Sequence, residues 1–135
     1  MITLVKAKEA IEASEKKAKE LGIAITTAIV DDHGELIALS RMNGALYASP
    51  RIAHTKAFTA ARLRLPTEKL GEGVREGKPY YGLNTLFGGE LTPMAGGLPI
   101  SQEETVIGGV GVGGSYDVSQ DVTCAEEAKK VLEKE

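Results

Sequence analysis

Aromatic residues are scarce in this chain of 135 residues: they make up 4% of it, and tryptophan is absent. Proteins that bind single-stranded nucleic acid stack the bases on aromatic side chains, and contact with the phosphate backbone relies on positive charge. The formal net charge here is −3. The composition therefore predicts no nucleic-acid partner.

Cysteine and long apolar segments are scarce as well. Cys124 is the single cysteine, so a disulfide within the chain is excluded, as is usual in a reducing compartment. No apolar run approaches the roughly 18 residues of a membrane-spanning helix, and the first residues lack a signal-peptide core. We expect a cytoplasmic protein without a membrane partner.

The remaining composition is that of one soluble globular domain over 1–135, with 42% hydrophobic and 26% charged residues. Apolar spacing predicts the order α-β-β-α-loop-β-β-α, which indicates an antiparallel sheet with helices on its faces, an α+β fold. Helices are expected at 3–20, 49–63, 67–73 (short) and 117–134, strands at 23–30, 35–42, 98–100 and 106–115, and a loop with short strands at 76–97.

Two local signals support this order. Asp31 to Gly34 has the composition of a hairpin turn, with glycine where a positive φ is needed. Ser49 is expected to cap the second helix, with Pro50 at its first helical position.

Glycines recur at alternate positions in the segment 106–115, which reads VIGGVGVGGS. Side chains alternate across a strand, so Ile107 and the glycines at 109, 111 and 113 would share one nearly bare face. Glycine weakens a strand, so such a face implies the close approach of another object. We expect a helix or a partner subunit there, with direct ligand contact as the alternative. The order of the glycines is not the G-x-G-x-x-G of dinucleotide-binding proteins.

The two histidines and the single cysteine are the first candidates for chemistry. His54 lies in the second predicted helix, where a neutral imidazole could ligate haem iron or shuttle protons; a partly buried structural histidine is the alternative. His33 lies in the hairpin turn and is expected to be solvated. Cys124 is expected to be a small buried residue rather than an activated thiol.

Two cations stand out among small residues. Arg41 ends the second predicted strand, and Lys56 lies on an alanine-rich helix where a long cation is unexpected. Both could bind ligand carboxylates through charge-assisted hydrogen bonds; a salt bridge to one of the 19 acidic residues is the alternative. Gly96 and Gly97 carry backbone N–H groups that could form an anion nest.

Several short motifs follow one another along almost the whole chain. They are Ile29-Val-Asp31-x-x-Gly34, Arg41-Met42-x-x-Ala45, Lys56-Ala57-x-Thr59-Ala60, Gly96-Gly97-x-Pro99, Val106-Ile-Gly108-x-Val110-Gly111-Val112-x-Gly114 and Asp121-x-x-x-Ala125. Each motif is weak alone. As an ordered set they resemble the GlcG/HbpS-type proteins, a group that includes the C-terminal domain of PduO-type proteins.

The resemblance implies a profilin-like α/β/α sandwich around a five-stranded antiparallel sheet, assembled as a homo-oligomer (dimer or higher). It also implies haem binding or haem degradation in some members, and association with glycolate, diol or cobalamin pathways in others. We therefore expect a small-ligand binding protein for haem or a related tetrapyrrole, in which Arg41 and Lys56 hold carboxylates and His54 ligates iron. Two alternatives stay open: an enzyme that acts on a small hydroxy or oxo acid or degrades haem, and an accessory subunit without a ligand.

Overall fold

The computed structural model describes residues 1–134. The helices are α1 (Leu4–Leu21), α2 (Ser49–Leu63), α3 (Thr67–Gly73), α4 (Leu86–Gly89) and α5 (Val118–Glu133), with a 3-10 helix at Leu83–Thr85. The strands are β1 (Thr26–Asp31), β2 (Leu36–Arg41), β3 (Gly97–Gln102) and β4 (Thr105–Gly113). The predicted order of the main helices and strands is confirmed.

The strands form one antiparallel sheet in the order β2-β1-β4-β3. The expectation of five strands is therefore wrong for the described residues, which form four. The short strands expected before β3 are absent from residues 76–96, which form turns, the 3-10 helix and the single turn α4. Phe87 illustrates the reason, because its φ of 54° lies in the left-handed region, outside the conformations of a strand.

Helices cover both faces of the sheet. The α1 and α5 helices pack together over one face, on a core that includes Ile29, Val110 and Val112. On the other face, α2 packs its alanines against Ala28 and Val30. The result is an α/β/α sandwich, and the predicted α+β class is confirmed.

The glycines of β4 allow α2 to lie directly on the strand. A Cβ on Gly109 would lie 2.6 Å from the carbonyl oxygen of Ala57, and one on Gly113 would lie 2.8 Å from Ile52. A Cβ on Gly111 would overlap the carbonyl oxygen of Ala53. The glycine face is thus approached by a helix of the same chain, in agreement with the expectation of a helix or a partner subunit.

A bulge in β4 changes the predicted position of Ile107. Ile100 of β3 pairs with Gly108, whereas Ser101 pairs with Val106, so Ile107 is an extra residue in the ladder. Its side chain packs against the core on the α1/α5 face. The prediction that Ile107 shares the glycine face is therefore wrong.

The start of α2 also differs from the expectation. The residue before the helix is Ala48, and Ser49 is already helical, with Pro50 in the first turn. The Ser49 hydroxyl does not cap the helix; it forms a buried hydrogen bond with Thr26 Oγ1, with 2.7 Å between the oxygens. Ser49 therefore connects α2 to β1.

The two edges of the sheet are unequal. The β3 edge contains Pro99, whose carbonyl oxygen accepts from Lys129 Nζ at 2.8 Å, while Ser101 N–H donates to Glu133 at 2.8 Å. Side chains of α5 thus cover the β3 edge. The β2 strand forms the other edge, and no strand within residues 1–134 pairs with its outer side.

None of the helices in this part of the chain has the length and apolar character needed to span a membrane.

Candidate functional site

Lys56 is among the largest fully buried side chains, with 1% of its surface exposed. Its Nζ donates to the carbonyl oxygen of Val112 at 2.8 Å and to Asp121 Oδ2 at 3.1 Å. A buried ammonium needs such acceptors because it has lost its hydration. The structure therefore contains the salt bridge that was one alternative for Lys56.

Asp121 lies in the first turn of α5 and is equally buried. Its second oxygen, Oδ1, accepts from the backbone N–H of Ser115 at 3.1 Å. Each carboxylate oxygen thus has its own donor. Asp121 joins α2, through Lys56, to the loop between β4 and α5.

Burial shifts the pKa of both members of this pair. Burial lowers the pKa of Lys56, and the charge and hydrogen bond of Asp121 oppose that shift. Burial raises the pKa of Asp121, and Lys56 together with the Ser115 N–H opposes it. Each residue therefore depends on the other to stay charged.

Gly96 and Gly97 lie beside Lys56. A Cβ on Gly96 would lie 2.7 Å from Lys56 Nζ, and one on Gly97 would overlap the Lys56 carbonyl oxygen. The Gly97 N–H donates to Thr67 Oγ1 at 3.0 Å. The close approach of Lys56 accounts for both glycines, and an anion nest at this position stays a prediction.

A cavity of about 520 Å³ opens beside the loop between β4 and α5. It is lined by residues 22–24, 44, 46, 114–117 and 120, and we call it the tyrosine cavity after Tyr116. Ile23 and Leu46 give it apolar surface, and Tyr116, which is 95% exposed, lies at its rim. The cavity thus combines apolar surface with a polar aromatic group.

A second cavity, of about 410 Å³, adjoins the first. It is lined by residues 41–47 and shares Gly44 and Leu46 with the tyrosine cavity. Arg41 is exposed here and forms no ion pair with any residue that the structure describes. A ligand lying across both cavities would meet apolar, aromatic and cationic groups.

His54 lies elsewhere, half-buried in a cavity of about 150 Å³ that also contains Glu35 and Glu90. This cavity shares no lining residue with the tyrosine cavity or with the cavity of Arg41. It is smaller than the roughly 300–1,000 Å³ of typical ligand cavities. The structure thus brings Lys56, Gly96 and Gly97 together and places Arg41 and His54 apart from one another.

The other sequence candidates have structural roles. His33 is exposed in its turn, as expected, and its Nδ1 lies 3.0 Å from Asp32. With Asp31 these residues form the one cluster within residues 1–134 whose spacing could suit a metal, but turn hydrogen bonds already use the Asp31 carboxylate. Cys124 is fully buried, which confirms the expected small buried residue, and burial raises the pKa of its thiol to about 11.

Sequence reasoning missed two residues of this region. Asp121 belongs to one of the quoted motifs, but the same helix carries Glu126, Glu127 and Glu133, so the sequence did not single it out as the partner of Lys56. Tyr116 had no comparable signal, because the tyrosine cavity combines segments that lie far apart in the sequence.

The family of the chain follows from comparison with known proteins. The family model described as "Haem degrading protein HbpS-like" matches residues 2–130. The chain belongs to the HbpS-like family. This HbpS-like protein is 37% identical over 127 residues to an uncharacterized 15.0 kDa protein in the dhaT-dhaS intergenic region of Citrobacter freundii, an alignment that covers 94% of this chain and 89% of the relative.

Two further similarities concern PduO proteins. The HbpS-like chain is 33% identical to the corrinoid adenosyltransferase PduO of Salmonella typhimurium over 86% of its own length, but spans only 34% of that relative. A solved structure, the PduOC:Heme complex, is similar with a TM-score of 0.89 and 28% identity, and the match covers 96% of both chains.

Proposed function

We propose that this protein is a small-ligand binding protein of the GlcG/HbpS type and that its ligand is haem. The observation that carries the proposal is its likeness to the PduOC:Heme complex over nearly the whole of both chains. The family description, which names haem degradation, points to the same ligand.

The two adjoining cavities offer groups that a tetrapyrrole with carboxylate side chains would use. Ile23 and Leu46 offer apolar surface, and burial of the ring would supply most of the affinity. The unpaired guanidinium of Arg41 would bind a propionate. The Tyr116 oxygen would ligate the iron, since tyrosinate ligates haem in some proteins. Bound haem would supply a redox-active iron.

His54 is the iron ligand predicted from the sequence, and it stays the alternative to Tyr116. Imidazole is a common haem ligand. For His54 to reach the iron, its cavity of about 150 Å³ would have to widen. Because His54 and Tyr116 lie in separate cavities, single substitutions distinguish between them.

Titration of the purified protein with hemin tests the proposal. We expect wild-type protein to shift the Soret band to saturation, and Tyr116→Phe, which keeps the ring but removes the oxygen, to lose or displace that band. Tyr80→Phe is the matched control, because Tyr80 is also exposed but lies outside both cavities. An unshifted wild-type spectrum would overturn haem binding, whereas a band that is lost in His54→Ala and kept in Tyr116→Phe would assign the iron to His54.

The carboxylate contact has its own variant. Arg41→Gln removes the charge while keeping a polar side chain, and we expect it to weaken hemin binding by about tenfold, as for the loss of one charge-assisted hydrogen bond. Protoporphyrin dimethyl ester, which lacks the carboxylates, should bind wild-type protein and Arg41→Gln alike. Equal hemin affinity in the two proteins would remove Arg41 from the site.

We also infer that the protein forms a homo-oligomer in the cytoplasm. The free outer side of β2 supports the first part, because an unpaired strand edge is a template for pairing with another chain. The buried, unpaired thiol of Cys124 supports the second, because it suits a reducing compartment. Light scattering of the purified protein tests the homo-oligomer. We expect the mass of a dimer or a larger assembly, and the mass of a monomer would contradict the inference.

A further inference from the structure

The loop between β4 and α5 is held by side chains from both helical layers. Its Ser115 N–H donates to Asp121 Oδ1, and Asp121 Oδ2 pairs with Lys56 of α2. Lys56 Nζ also donates to the carbonyl oxygen of Val112, close to the end of β4. One buried network thus ties the end of β4 and the beginning of the loop to α2 and α5.

The same loop forms one wall of the tyrosine cavity. Ser115 is bonded through its side chain as well, because its hydroxyl donates to Gln120 Oε1 at 2.6 Å and accepts from the Asp117 N–H at 3.1 Å. Tyr116, the next residue, is almost fully exposed. Ser115 is therefore the last partly buried attachment before the proposed iron ligand.

Only a carboxylate satisfies both neighbours of Asp121. The Lys56 ammonium and the Ser115 N–H are both donors, and a carboxylate offers each of them an acceptor oxygen. Asparagine has the same shape but only one oxygen. Its oxygen is expected to turn toward the buried ammonium, and its NH₂ group would then face the Ser115 N–H.

Stability alone does not account for the buried pair. Desolvation of two charges is costly, and apolar residues of similar volume often stabilise a protein more. Lys56 and Asp121 do not themselves line the tyrosine cavity. Their contribution to the cavity is the fixed position of Ser115.

We propose that Lys56 and Asp121 are positioning residues that hold Ser115 and so place Tyr116 and the cavity wall for haem. This inference rests on the proposed haem binding. It adds two residues that fix the position of the cavity wall without lining the cavity. Haem affinity would then depend on a charge pair that the ligand does not touch.

Amide hydrogen exchange at Ser115, measured by NMR on the haem-free protein and combined with hemin titration, tests the inference. In Asp121→Asn we expect Ser115 to exchange about tenfold faster and hemin to bind about tenfold more weakly, as for the loss of one charge-assisted hydrogen bond. Lys129→Met is the matched control: it removes another paired lysine, on α5 at the β3 edge, away from the loop. We expect it to change neither quantity.

Each result bears on a separate statement. Unchanged Ser115 exchange in Asp121→Asn would overturn the positioning role, and faster exchange with unchanged hemin affinity would overturn its link to the site. If that variant does not fold, the wild-type protein decides: Ser115 should exchange about tenfold more slowly than Tyr116, and equal rates would overturn the inference. A wild-type protein that leaves the Soret band unshifted would overturn haem binding, while the exchange rates still show whether the pair holds the loop.

Discussion

The carbonyl oxygen of Ala53 lies where a side chain on Gly111 would begin. The nearest obstacles to that side chain are backbone atoms of α2, so no change of rotamer could make room for it. The α2 helix therefore packs on β4 at a distance that only glycine permits at this position.

Gly111→Ala is expected to reduce the free energy of unfolding by about 3 kcal/mol, because α2 must move away from the sheet to admit the methyl group. Urea denaturation measures the loss. Gly77→Ala is the control: Gly77 has a φ of 85° but nothing within 4 Å of its Cβ position, so only backbone strain of about 1 kcal/mol applies. Equal losses in the two variants would contradict the close contact with α2.

The buried hydroxyls of Thr26 and Ser49 should be energetically coupled. Ser49→Ala leaves the Thr26 hydroxyl without this partner and is expected to cost about 1–3 kcal/mol. Adding Thr26→Val removes the second hydroxyl, so the double variant should lose less than the sum of the single losses. Strictly additive losses in denaturant unfolding would show that the two hydroxyls are independent.

The Cys124 thiol should be almost inert in the folded protein. Burial raises its pKa from 9.0 to about 11, so at pH 8 the folded protein holds about 100-fold less thiolate than the unfolded chain. Steric shielding slows reaction further, because the side chain is fully buried. The rate of reaction with Ellman's reagent, measured with and without guanidinium, compares the reactivity of the thiol in the unfolded and the folded protein. Similar rates in both conditions would contradict the buried position.

Removal of the Lys56 charge should make stability depend on pH through Asp121. In Lys56→Met, Asp121 loses the cation that opposes the effect of burial, so its folded-state pKa rises further above the unfolded value. A folded pKa above the unfolded value means that the contribution of this carboxyl to stability is greatest below its unfolded pKa and is lost as the pH rises through the folded pKa.

The difference in free energy of unfolding between wild type and Lys56→Met should therefore narrow as the pH falls from 7 toward 4. At pH 7 we expect a difference of about 3–5 kcal/mol, the usual cost of breaking a buried pair. In wild-type protein, protonation of Asp121 at low pH also breaks its ion pair with Lys56. The wild type therefore loses stability as the pH falls, which narrows the difference further. Urea titrations at several pH values measure the trend, and a constant difference would argue against the ion pair.

Local sequence features predicted the elements of the fold well. Gly34 has a φ of 87° in the turn between β1 and β2, as the composition of residues 31–34 indicated. The alternating glycines of β4 also predicted that another element packs closely on the strand. Side chains alternate across any strand, so glycines at alternate positions leave one face without side chains. The number of strands was predicted wrongly: the count of five came from the family resemblance, and the short strands expected from the residues before β3 do not form within 76–96.

The site was less predictable because it depends on contacts between distant segments. Lys56 was conspicuous in the sequence, but its partner Asp121 lies 65 residues away, and 19 acidic residues competed for that role. The tyrosine cavity forms where residues 22–24, 44–46 and 114–120 meet. Such a meeting point follows from the register of the sheet, which residue types alone do not specify.

One edge of the sheet is open and the other is covered by α5, which limits how copies of this protein could pair through their strands. Pairing through β2 would use the one edge that residues 1–134 leave open in each copy, and both ends of the doubled sheet would then be β3 edges covered by Lys129 and Glu133. Growth by strand addition would stop at that point, so the protein can extend its sheet once without the risk of forming a fibre.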